Sequence, residues 1–461
     1  MYFQSTTLRV AILATLTSVA GLANAGGFGL SEHGVSGLGN AYAGAAAVAA
    51  DTSTVWNNPA GMLQLADREV SFGLHVLAVD NEIIDQGTTL NTALGGGLIT
   101  GPESASDDGI TVIPNIYYVA PVTKNFVYGF AIDVPFGSGS DYGTDWRGRY
   151  SATESTLAII DFNPTIAYRV SNSFHIGGGV SLQYADATLA NAVDSGAVCL
   201  ALSPDPAVCV NAGLTPGNAE VDSQAEITGD SVAFGFNLGA MIIPAEHTRI
   251  GIAYRSAVDH ELEGTADFDN SAPFQSLLTG AGSGAFVDGP GSTDLETPQS
   301  LAVSVAHTLV AAPRWQLLGD ITYTDWTVFD QLLIEFDNPE QPPVLQVQDW
   351  EGVFRVSAGF NFQASDQFII RAGLAFDESP IPSAERRTAR IAGSDRMWFS
   401  VGLGYRPSDR FSFDFGLTHI TLDDSAINNS FPESGPSASF VRGIVESSAT
   451  IASASINWKI K

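Results

Sequence analysis

The segment ASASINWKIK, residues 452–461, decides the fold, because apolar and polar side chains alternate along it. Successive side chains of a β-strand point to opposite faces of a sheet, so one face of this strand is apolar and the other is polar. The segments 411–418 (FSFDFGLT) and 249–261 alternate in the same way. This period of two residues predicts antiparallel strands with one apolar face. Such a face covers the core of a soluble sandwich or contacts lipid in a membrane barrel.

The composition favours the membrane alternative. Of 461 residues only 15% are charged and 45% are hydrophobic, and the mean hydropathy is +0.12. An average soluble domain has about 25% charged residues. A chain this apolar is not intrinsically disordered, and a net charge of −30 leaves no broad basic surface for nucleic acid. Two cysteines exclude a thiolate zinc ribbon and a disulfide-dense scaffold.

The N-terminus has the pattern of a secretory signal peptide. An arginine precedes the apolar run 10–22, and the A-x-A cleavage signal Ala-Asn-Ala follows at residues 23–25. We therefore predict a signal peptide over residues 1–25 and a mature protein that begins at Gly26, with a buried helix as the alternative. No later apolar run reaches the roughly 18 residues that a spanning helix needs. A closed barrel is the other structure that satisfies every backbone polar group in lipid.

The connections between the candidate strands alternate in length. Every second connection is a short turn, and the intervening connections are long and rich in Gly, Asp, Ser and Pro. Outer-membrane barrels have short periplasmic turns and long extracellular loops, so this alternation favours such a barrel over a sandwich. The strands, about 14 in number, are predicted at residues 69–80, 110–119, 125–134, 154–170, 174–188, 222–243, 249–262, 295–310, 315–336, 348–363, 367–377, 396–406, 410–424 and 446–460.

Residues 26–67 fit neither the signal peptide nor the wall. They are rich in small residues, contain two short helix-like pieces at 36–43 and 45–50, and show little strand alternation. The segment is too long for a linker and has too few apolar residues for an independent domain. We predict a hatch that plugs the lumen of a barrel formed by residues 68–461. A flexible periplasmic tail is the alternative.

Long strings of this sequence have counterparts in a known family. They are GFGLSEHGVSGLGNAYAG at 27–44, AADTSTVWNNPAGM at 49–62, WRGRY at 146–150, IAYRSAVDHELEGTADF at 252–268, the tract 315–336, and FDESPIPSAERRTARIAGSDRMWFSVGLGYR at 376–406. Together they resemble the outer-membrane long-chain fatty acid and aromatic hydrocarbon transporters, the FadL/TodX-like family. The resemblance implies an all-β membrane protein, an antiparallel transmembrane β-barrel of about 14 strands with an N-terminal hatch inside the lumen.

The resemblance also implies passive uptake of hydrophobic molecules, most directly long-chain fatty acids. The expected route is an extracellular apolar groove, a lumenal pocket and lateral release through a kinked third strand. A hydrophobic solute gains nothing from a water-filled pore, so apolar surfaces suit this task. Uptake of neutral hydrocarbons by the same route is one alternative, and a non-transporting adhesin or structural barrel is another. The expected partners are the hydrophobic substrate, outer-membrane lipid and lipopolysaccharide. We expect a monomer, with no enzyme activity, cofactor, metal ion or nucleic acid.

Candidate substrate and gating residues lie in the hatch. The hatch N-terminus of the family touches the bound lipid, so Phe28 and Leu30 are predicted to bind substrate. Packing of the hatch against the wall is the alternative for Phe28. Asn58, Pro59 and Ala60 match the NPA signature of the family's hatch. They are predicted either to take part in gating or to form a rigid turn with a side-chain hydrogen bond.

A second candidate gating region follows the third predicted strand. Asp133, Pro135 and Gly137 lie where this strand meets a long loop. Proline removes a ladder donor, and glycine permits a bulge. The family uses a kink in its third strand as a lateral exit, so these residues are predicted to form one. An ordinary strand end is the alternative.

A fatty acid head group needs a cation or several donors in an apolar pocket, because an unpaired buried charge is costly. The fatty acid members of the family supply an Arg and a Lys from the barrel wall. This chain has no Lys or Arg in residues 171–248, and the family's Lys position falls on Glu351. Alternation places Glu351, Arg355, Arg255 and Arg371 inward. Arg355 is predicted to hold a carboxylate or to pair with Glu351, and the second alternative favours a neutral substrate.

Cys199 and Cys209 lie in one long extracellular loop, and an oxidising compartment predicts a disulfide between them. The seven histidines show no metal-ligand spacing. The sequence has no clustered Ser/His/Asp set that would indicate a barrel protease or lipase.

Overall fold

The computed structural model of the chain describes residues 26–203, 205–431 and 439–460. Its strands form one antiparallel sheet that closes on itself, because the first strand of the wall pairs with the last from Arg68↔Ile460 to Asp85↔Gly443. Over the described residues the wall has 14 strands, as predicted. The predicted signal peptide, residues 1–25, lies outside the described residues.

The wall strands are numbered β1 to β14 in chain order. Two of the long connections also contain short strands, Thr89–Leu90 and Ser104–Ser106 between β1 and β2, and Val344–Val347 between β9 and β10. The wall consists of β1 (Arg68–Asp85), β2 (Gly109–Thr123), β3 (Phe126–Asp141), β4 (Glu154–Ser171), β5 (Phe174–Val193), β6 (Ser223–Ala245), β7 (Thr248–Arg255 and Val258–Asp269), β8 (Gly289–Thr297 and Ser300–Thr308), β9 (Trp315–Thr324 and Gln331–Phe336), β10 (Val353–Gln363), β11 (Phe368–Asp377), β12 (Arg396–Tyr405), β13 (Phe411–Leu422 and Ser425–Phe431) and β14 (Ser439–Ile460). The alternation of short turns and long loops is confirmed.

The outer face of the wall is apolar and the inner face is polar. On β6 the outward side chains of Val232, Phe234 and Phe236 are 59%, 70% and 46% exposed, whereas the inward Asn237 is 2% exposed. A soluble protein buries such a row of large apolar side chains, but lipid solvates it. Stacked aromatic pairs such as Phe411–Trp458 lie near the short turns, where a barrel meets the membrane interface.

Two strands differ from their predicted bounds in ways that affect the candidate site. The third strand does not end at residue 134 but continues to Asp141, so Pro135 and Gly137 lie inside β3 rather than at its end. The tenth strand begins at Val353 rather than at residue 348. Asp349 has a positive φ of 48°, which turns the chain before the strand begins, so strand alternation does not extend back to Glu351.

The hatch, residues 26–67, packs inside the wall. It contains α1 (Val35–Leu38), α2 (Ala45–Val48), α3 (Thr54–Asn57) and a 3₁₀-helix (Pro59–Gln64). Its helices contact the inner face on several sides, α1 against β12 and β13 and α2 against β7 and β8. Each helix is too short to be stable alone, so the surrounding wall holds the hatch in shape.

Inward glycines let the hatch backbone approach the wall closely. A Cβ at Gly373 on β11 would overlap the backbone of Asn40, and one at Gly251 on β7 would overlap the backbone of Ala46. No other residue leaves this space free.

The extracellular loops fold into a cap with helices α4 (Ser195–Leu202), α5 (Pro206–Asn211) and α6 (Ala272–Ala281). A disulfide joins Cys199 to Cys209, and both sulfurs lie in a buried cluster with Phe274 and Leu278. Among the described residues, no helix has both the length and the apolar character needed to cross a membrane.

A buried ionic network ties the cap together. The Nε of Arg149 donates to Asp222 at 2.7 Å, its Nη1 donates to the carbonyl of Thr100 at 2.7 Å, and the Tyr150 hydroxyl donates to Asp222 at 2.8 Å. Burial raises the pKa of Asp194, which caps α4, to about 6. Three long loops are therefore held by one buried arginine.

Candidate functional site

Among the described residues, two of the cavities in the lumen lie on either side of Phe28. The inner cavity has a volume of about 220 Å³ and is lined by the hatch residues Leu30 and Pro59 and by much of the wall. The outer cavity, nearer the extracellular loops, measures about 80 Å³ and is mostly apolar. The charged residues that line the inner cavity are Arg255, Asp320, Arg355, Asp377 and Arg396.

Arg255 is held firmly against the hatch. Its guanidinium lies 3.4 Å from the centre of the Trp56 ring and donates to the carbonyl of Trp56 at 3.3 Å and to Ser181 at 3.1 Å. The carboxylate of Asp161 lies 3.9 Å away. The cation–π contact with Trp56 and the nearby carboxylate of Asp161 together stabilise the buried charge of Arg255.

Arg355 points inward, as alternation predicts. Of the arginines that line the inner cavity, it makes the fewest hydrogen bonds and ion pairs with the described residues. Its Nη2 donates to the carbonyl of Ala41 at 2.9 Å, and the guanidinium lies 5.0 Å from the Trp398 ring. Its Nε is buried without a hydrogen-bond partner. In the described chain no carboxylate forms an ion pair with Arg355, so it retains a donor and a full charge facing the inner cavity.

The predicted partner of Arg355 is elsewhere. Glu351 is exposed, precedes β10 by two residues, and donates its backbone N–H to the carbonyl of Pro380 at 2.9 Å. The inward placement of Glu351 was wrong, because its segment is not part of the strand. Alternation defines a side chain's face only where the strand ladder exists.

Arg371 is inward but takes no part in the inner cavity. It pairs with Asp414 at 2.7 Å, next to the hatch. Arg396, which the sequence reasoning missed, pairs with Asp377 at 2.6 Å and lines the inner cavity beside Gly26. Alternation along β12 was the available signal for Arg396, since the inward Trp398 is two residues away.

Phe28 separates the two cavities. Its ring is 1% exposed, and its centroid lies 4.7 Å from Trp326, 5.4 Å from Phe329, 5.9 Å from Phe136 and 6.0 Å from Trp350. Phe28 lines the outer cavity, whereas Trp326 and Phe136 line the inner one. Five aromatic rings thus form an apolar partition between the cavities.

The backbone around Phe28 is joined to β3 where the wall is interrupted. The pairing of β3 with β4 shifts register between Asp133 and Phe136, and the pairing of β3 with β2 ends at Ile116↔Ile132. At that point the N–H of Leu30 donates to the carbonyl of Pro135 at 2.9 Å, and the N–H of Gly137 donates to the carbonyl of Phe28 at 2.9 Å. The hatch N-terminus therefore takes the place of a neighbouring strand along this stretch.

Asp133 anchors the same interruption to the hatch. Its carboxylate is fully buried, accepts a hydrogen bond from the Tyr117 hydroxyl at 2.7 Å, and contacts the Nδ1 of His33 at 2.9 Å. His33 and Tyr117 were not singled out from the sequence, which gave no signal that distant positions meet here.

Asn58 fixes the centre of the hatch. Its side-chain oxygen accepts from the N–H of Ala60 at 3.1 Å, and its amide nitrogen donates to the carbonyls of Ala46 at 2.7 Å and Ala240 at 2.9 Å. Ala240 belongs to β6, so one side chain closes the turn and ties it to the wall. Pro59 packs beside it and lines the inner cavity.

A plugged barrel with an apolar outer face and a partitioned lumen defines a transport channel of the outer membrane. The chain belongs to the outer membrane protein transport protein family (OMPP1/FadL/TodX), whose profile matches residues 16–460. It is therefore a transporter of hydrophobic molecules in the outer membrane of a Gram-negative bacterium, and not an enzyme.

Named relatives cover most of the chain. The long-chain fatty acid transport protein of Escherichia coli O6:H1 is 29% identical over 401 residues, 86% of each chain. Outer membrane protein P1 of Haemophilus influenzae is 29% identical over 427 residues, 89% of each chain. A Pseudomonas aeruginosa FadL homologue of known structure matches with a TM-score of 0.82 at 21% identity, covering 94% of this chain and 100% of the other. The structure of the Ralstonia pickettii toluene transporter TbuX matches with a TM-score of 0.65 at 16% identity, covering 94% of this chain and 99% of the other. The two structural matches establish the fold.

Proposed function

We propose that this channel takes up long-chain fatty acids from the outer cavity, past Phe28, into the inner cavity, and releases them sideways through the interruption in β3. The observation that carries the proposal is the position of the hatch N-terminus. Phe28 partitions the cavities, and its own carbonyl is bonded to Gly137 of the interrupted strand. A displacement of Phe28 would therefore open the partition and release the wall at the same time.

The inner cavity supports a substrate with a carboxylate. Arg355 faces it with a buried Nε that has no hydrogen-bond partner in the described chain. A carboxylate would satisfy this donor and balance the charge, and charge-assisted hydrogen bonds to arginine are strong. A neutral hydrocarbon would leave the donor unsatisfied, which favours fatty acids over alkanes or aromatics.

The test is a reversible lock between the hatch and β3. Gly29 and Phe136 form an antiparallel backbone bridge, which brings their Cα atoms within the range that a disulfide spans. The double variant G29C/F136C is expressed in a Gram-negative host that lacks its own fatty acid transporter. Oxidised cells should lose uptake of labelled oleate, and a reductant should restore it.

The single variants G29C and F136C are the controls, and their oleate uptake should be the same with and without oxidant, because neither can form the crosslink. Oleate uptake that persists with a fully formed crosslink would contradict the gating route. Uptake of labelled hexadecane but not of oleate by the wild-type chain would replace the fatty acid with a neutral substrate.

A further inference from the structure

A histidine of the hatch lies between the inner cavity and the interruption in β3. His33 lines the inner cavity, and its side chain is 17% exposed. Its Nδ1 lies 2.9 Å from the carboxylate of Asp133, the residue at which the regular pairing of β3 with β4 stops. The ring also packs against the ring of Trp56, with 4.9 Å between the two centroids. His33 therefore joins the inner cavity to the wall segment at the proposed exit.

Asp133 determines which nitrogen of His33 can exchange a proton with a ligand. Its carboxylate accepts from the Tyr117 hydroxyl at 2.7 Å and from the N–H of Val134 at 2.9 Å, and it accepts from the Nδ1–H of His33 as well. The Nε2 of His33 has no hydrogen-bond partner among the described residues. A buried carboxylate that accepts from Nδ1 fixes the ring and leaves Nε2 to take up and release a proton.

Other titratable groups surround this pair, but His33 has a distinct position among them. The groups that interact electrostatically with His33 or Asp133 are Glu32, Tyr42, His75, Tyr117, Asp161 and Arg255. His75 is fully buried against Ser453, and Asp161 lies 3.9 Å from Arg255. Among the described residues that line the inner cavity, His33 is the one histidine. Histidine is the side chain that ordinarily gains or loses a proton near neutral pH.

A fatty acid has to lose its charge before it leaves sideways through the wall. The outward side chains of β3 below the interruption, Tyr128 and Ile132, are exposed and apolar, so the interruption borders on hydrocarbon. An ionised carboxylate is costly to place in hydrocarbon, whereas the neutral acid does not carry this cost. The proton therefore has to reach the carboxylate inside the lumen, close to the exit.

We propose that His33 donates a proton from Nε2 to the substrate carboxylate in the inner cavity, so that the substrate leaves through the interruption in β3 as the neutral acid. The Nε2–H bond of the imidazolium breaks, its electron pair stays on the nitrogen, and an O–H bond forms on the substrate. The neutral imidazole then regains a proton from water in the lumen. Asp133 is the positioning residue, because it holds the ring and balances its charge. This assignment rests on the proposed uptake of fatty acids and gives the release step a proton donor.

The experiment compares the uptake of labelled oleate with that of labelled oleyl alcohol, which needs no proton to enter lipid. Both are measured in a Gram-negative host that lacks its own fatty acid transporter. His33→Asn keeps an N–H for Asp133 and removes Nε2. At pH 8 it should slow oleate uptake at least about tenfold and change oleyl alcohol uptake by less than about twofold. At pH 5.5 its oleate uptake should return to within about threefold of the wild type, because part of the substrate enters already protonated.

His260→Asn is the matched control. His260 is a buried, inward histidine of β7 that hydrogen-bonds to Gln183 at 3.1 Å, and it lies outside the described lining of the inner cavity. H260N should import oleate at the wild-type rate at both pH values.

Oleate uptake by H33N at the wild-type rate at pH 8 overturns the assignment. Equal losses for oleate and oleyl alcohol, a loss that persists at pH 5.5, or the same loss in H260N also overturn it, because each indicates a structural role for the ring. A wild-type chain that imports no oleate at either pH overturns the proposed function itself.

Discussion

The ring of Phe28 and the charges around it set the properties of the lumen. The ring packs against four other aromatic side chains, and its backbone closes two hydrogen bonds with β3. The arginines nearby differ in whether a carboxylate lies close enough to form an ion pair with them. Arg371 and Arg396 each form an ion pair with a close carboxylate, whereas Arg355 forms none with the residues that the structure describes. Proximity to a cavity alone therefore does not identify a binding residue.

Replacing Phe28 by Ala should free the hatch N-terminus from β3. Loss of a fully buried Phe costs about 3–5 kcal/mol. The backbone amides of Leu30 and Gly137, which cross this junction, should exchange with deuterium at least about tenfold faster. Phe28→Leu should show a smaller effect, and the amide of Ala131, deeper in β3, should not change. Unaltered exchange at Gly137 in F28A would show that the ring does not hold the junction.

Asp107, in the first long extracellular loop, should make stability depend on pH. Burial and the nearby Asp141 and Asp108 raise the pKa of this carboxyl to about 6, from 3.8. The folded state thus binds the proton more tightly than the unfolded state. The stability gained from protonation is complete below pH 4 and is lost as the pH rises through 6.

Asp107→Asn removes this charge permanently. The variant should melt at a higher temperature than the wild type at pH 7.5, by roughly 1–3 °C, and at the same temperature at pH 4. Thermal unfolding in detergent at the two pH values measures the difference. An equal shift at both pH values would mean that the charge is not the cause.

At the scale of elements, the hatch is held by direct backbone contact with the inner face of the wall. It pairs with the interrupted part of β3 and approaches the inner face at Gly251 and Gly373. These contacts are mainly backbone contacts, so they depend on shape more than on particular side chains. A small change of volume at the wall should therefore displace the hatch.

Gly373→Val tests this dependence. The new side chain would overlap the backbone of Asn40, and overpacking of this kind costs about 1–3 kcal/mol. The displaced hatch should leave a continuous path, so single-channel conductance in planar bilayers should rise several-fold. Gly319→Val is the matched control, because Gly319 has only ordinary contacts on β9. A single-channel conductance of G373V equal to that of the wild type would show that the hatch adapts to the added volume.

At the scale of the whole molecule, the wall and the hatch have separate tasks. The backbone N–H and C=O groups of the wall are hydrogen-bonded between neighbouring strands, and the pairing of β1 with β14 closes the sheet. The hatch fills the lumen and separates the inner cavity from the outer cavity. The barrel should therefore fold without the plug, but it should lose its selectivity.

Deletion of residues 27–66 should leave an inserted barrel with a wide, permanently open conductance. Oleate uptake should no longer saturate with concentration, because the partition at Phe28 and the binding surfaces of the hatch are gone. Conductance and concentration-dependent uptake measure the two effects. A deletion variant that fails to insert would show that the hatch is needed for folding of the wall.

The sequence predicted the wall better than the site. Alternation and loop length depend on neighbouring residues, so they predicted the strands and the inward direction of Arg255, Arg355 and Arg371. They failed for Glu351, because the start of β10 depends on how the preceding loop turns. The sequence did not indicate that Arg390 lines the outer cavity, since a loop residue reaches the lumen only through the folding of the whole loop.

The sequence by itself determined an exported, apolar-faced barrel with a plug and a disulfide-bearing loop, because each of these follows from local patterns of residues. The tertiary structure decided which cation faces which cavity and where the wall is interrupted. Those features depend on strand register and on docking of the hatch, and both join residues that are far apart in the chain. Phe28 and Gly137 meet for this reason, although 108 intervening residues separate them in the sequence.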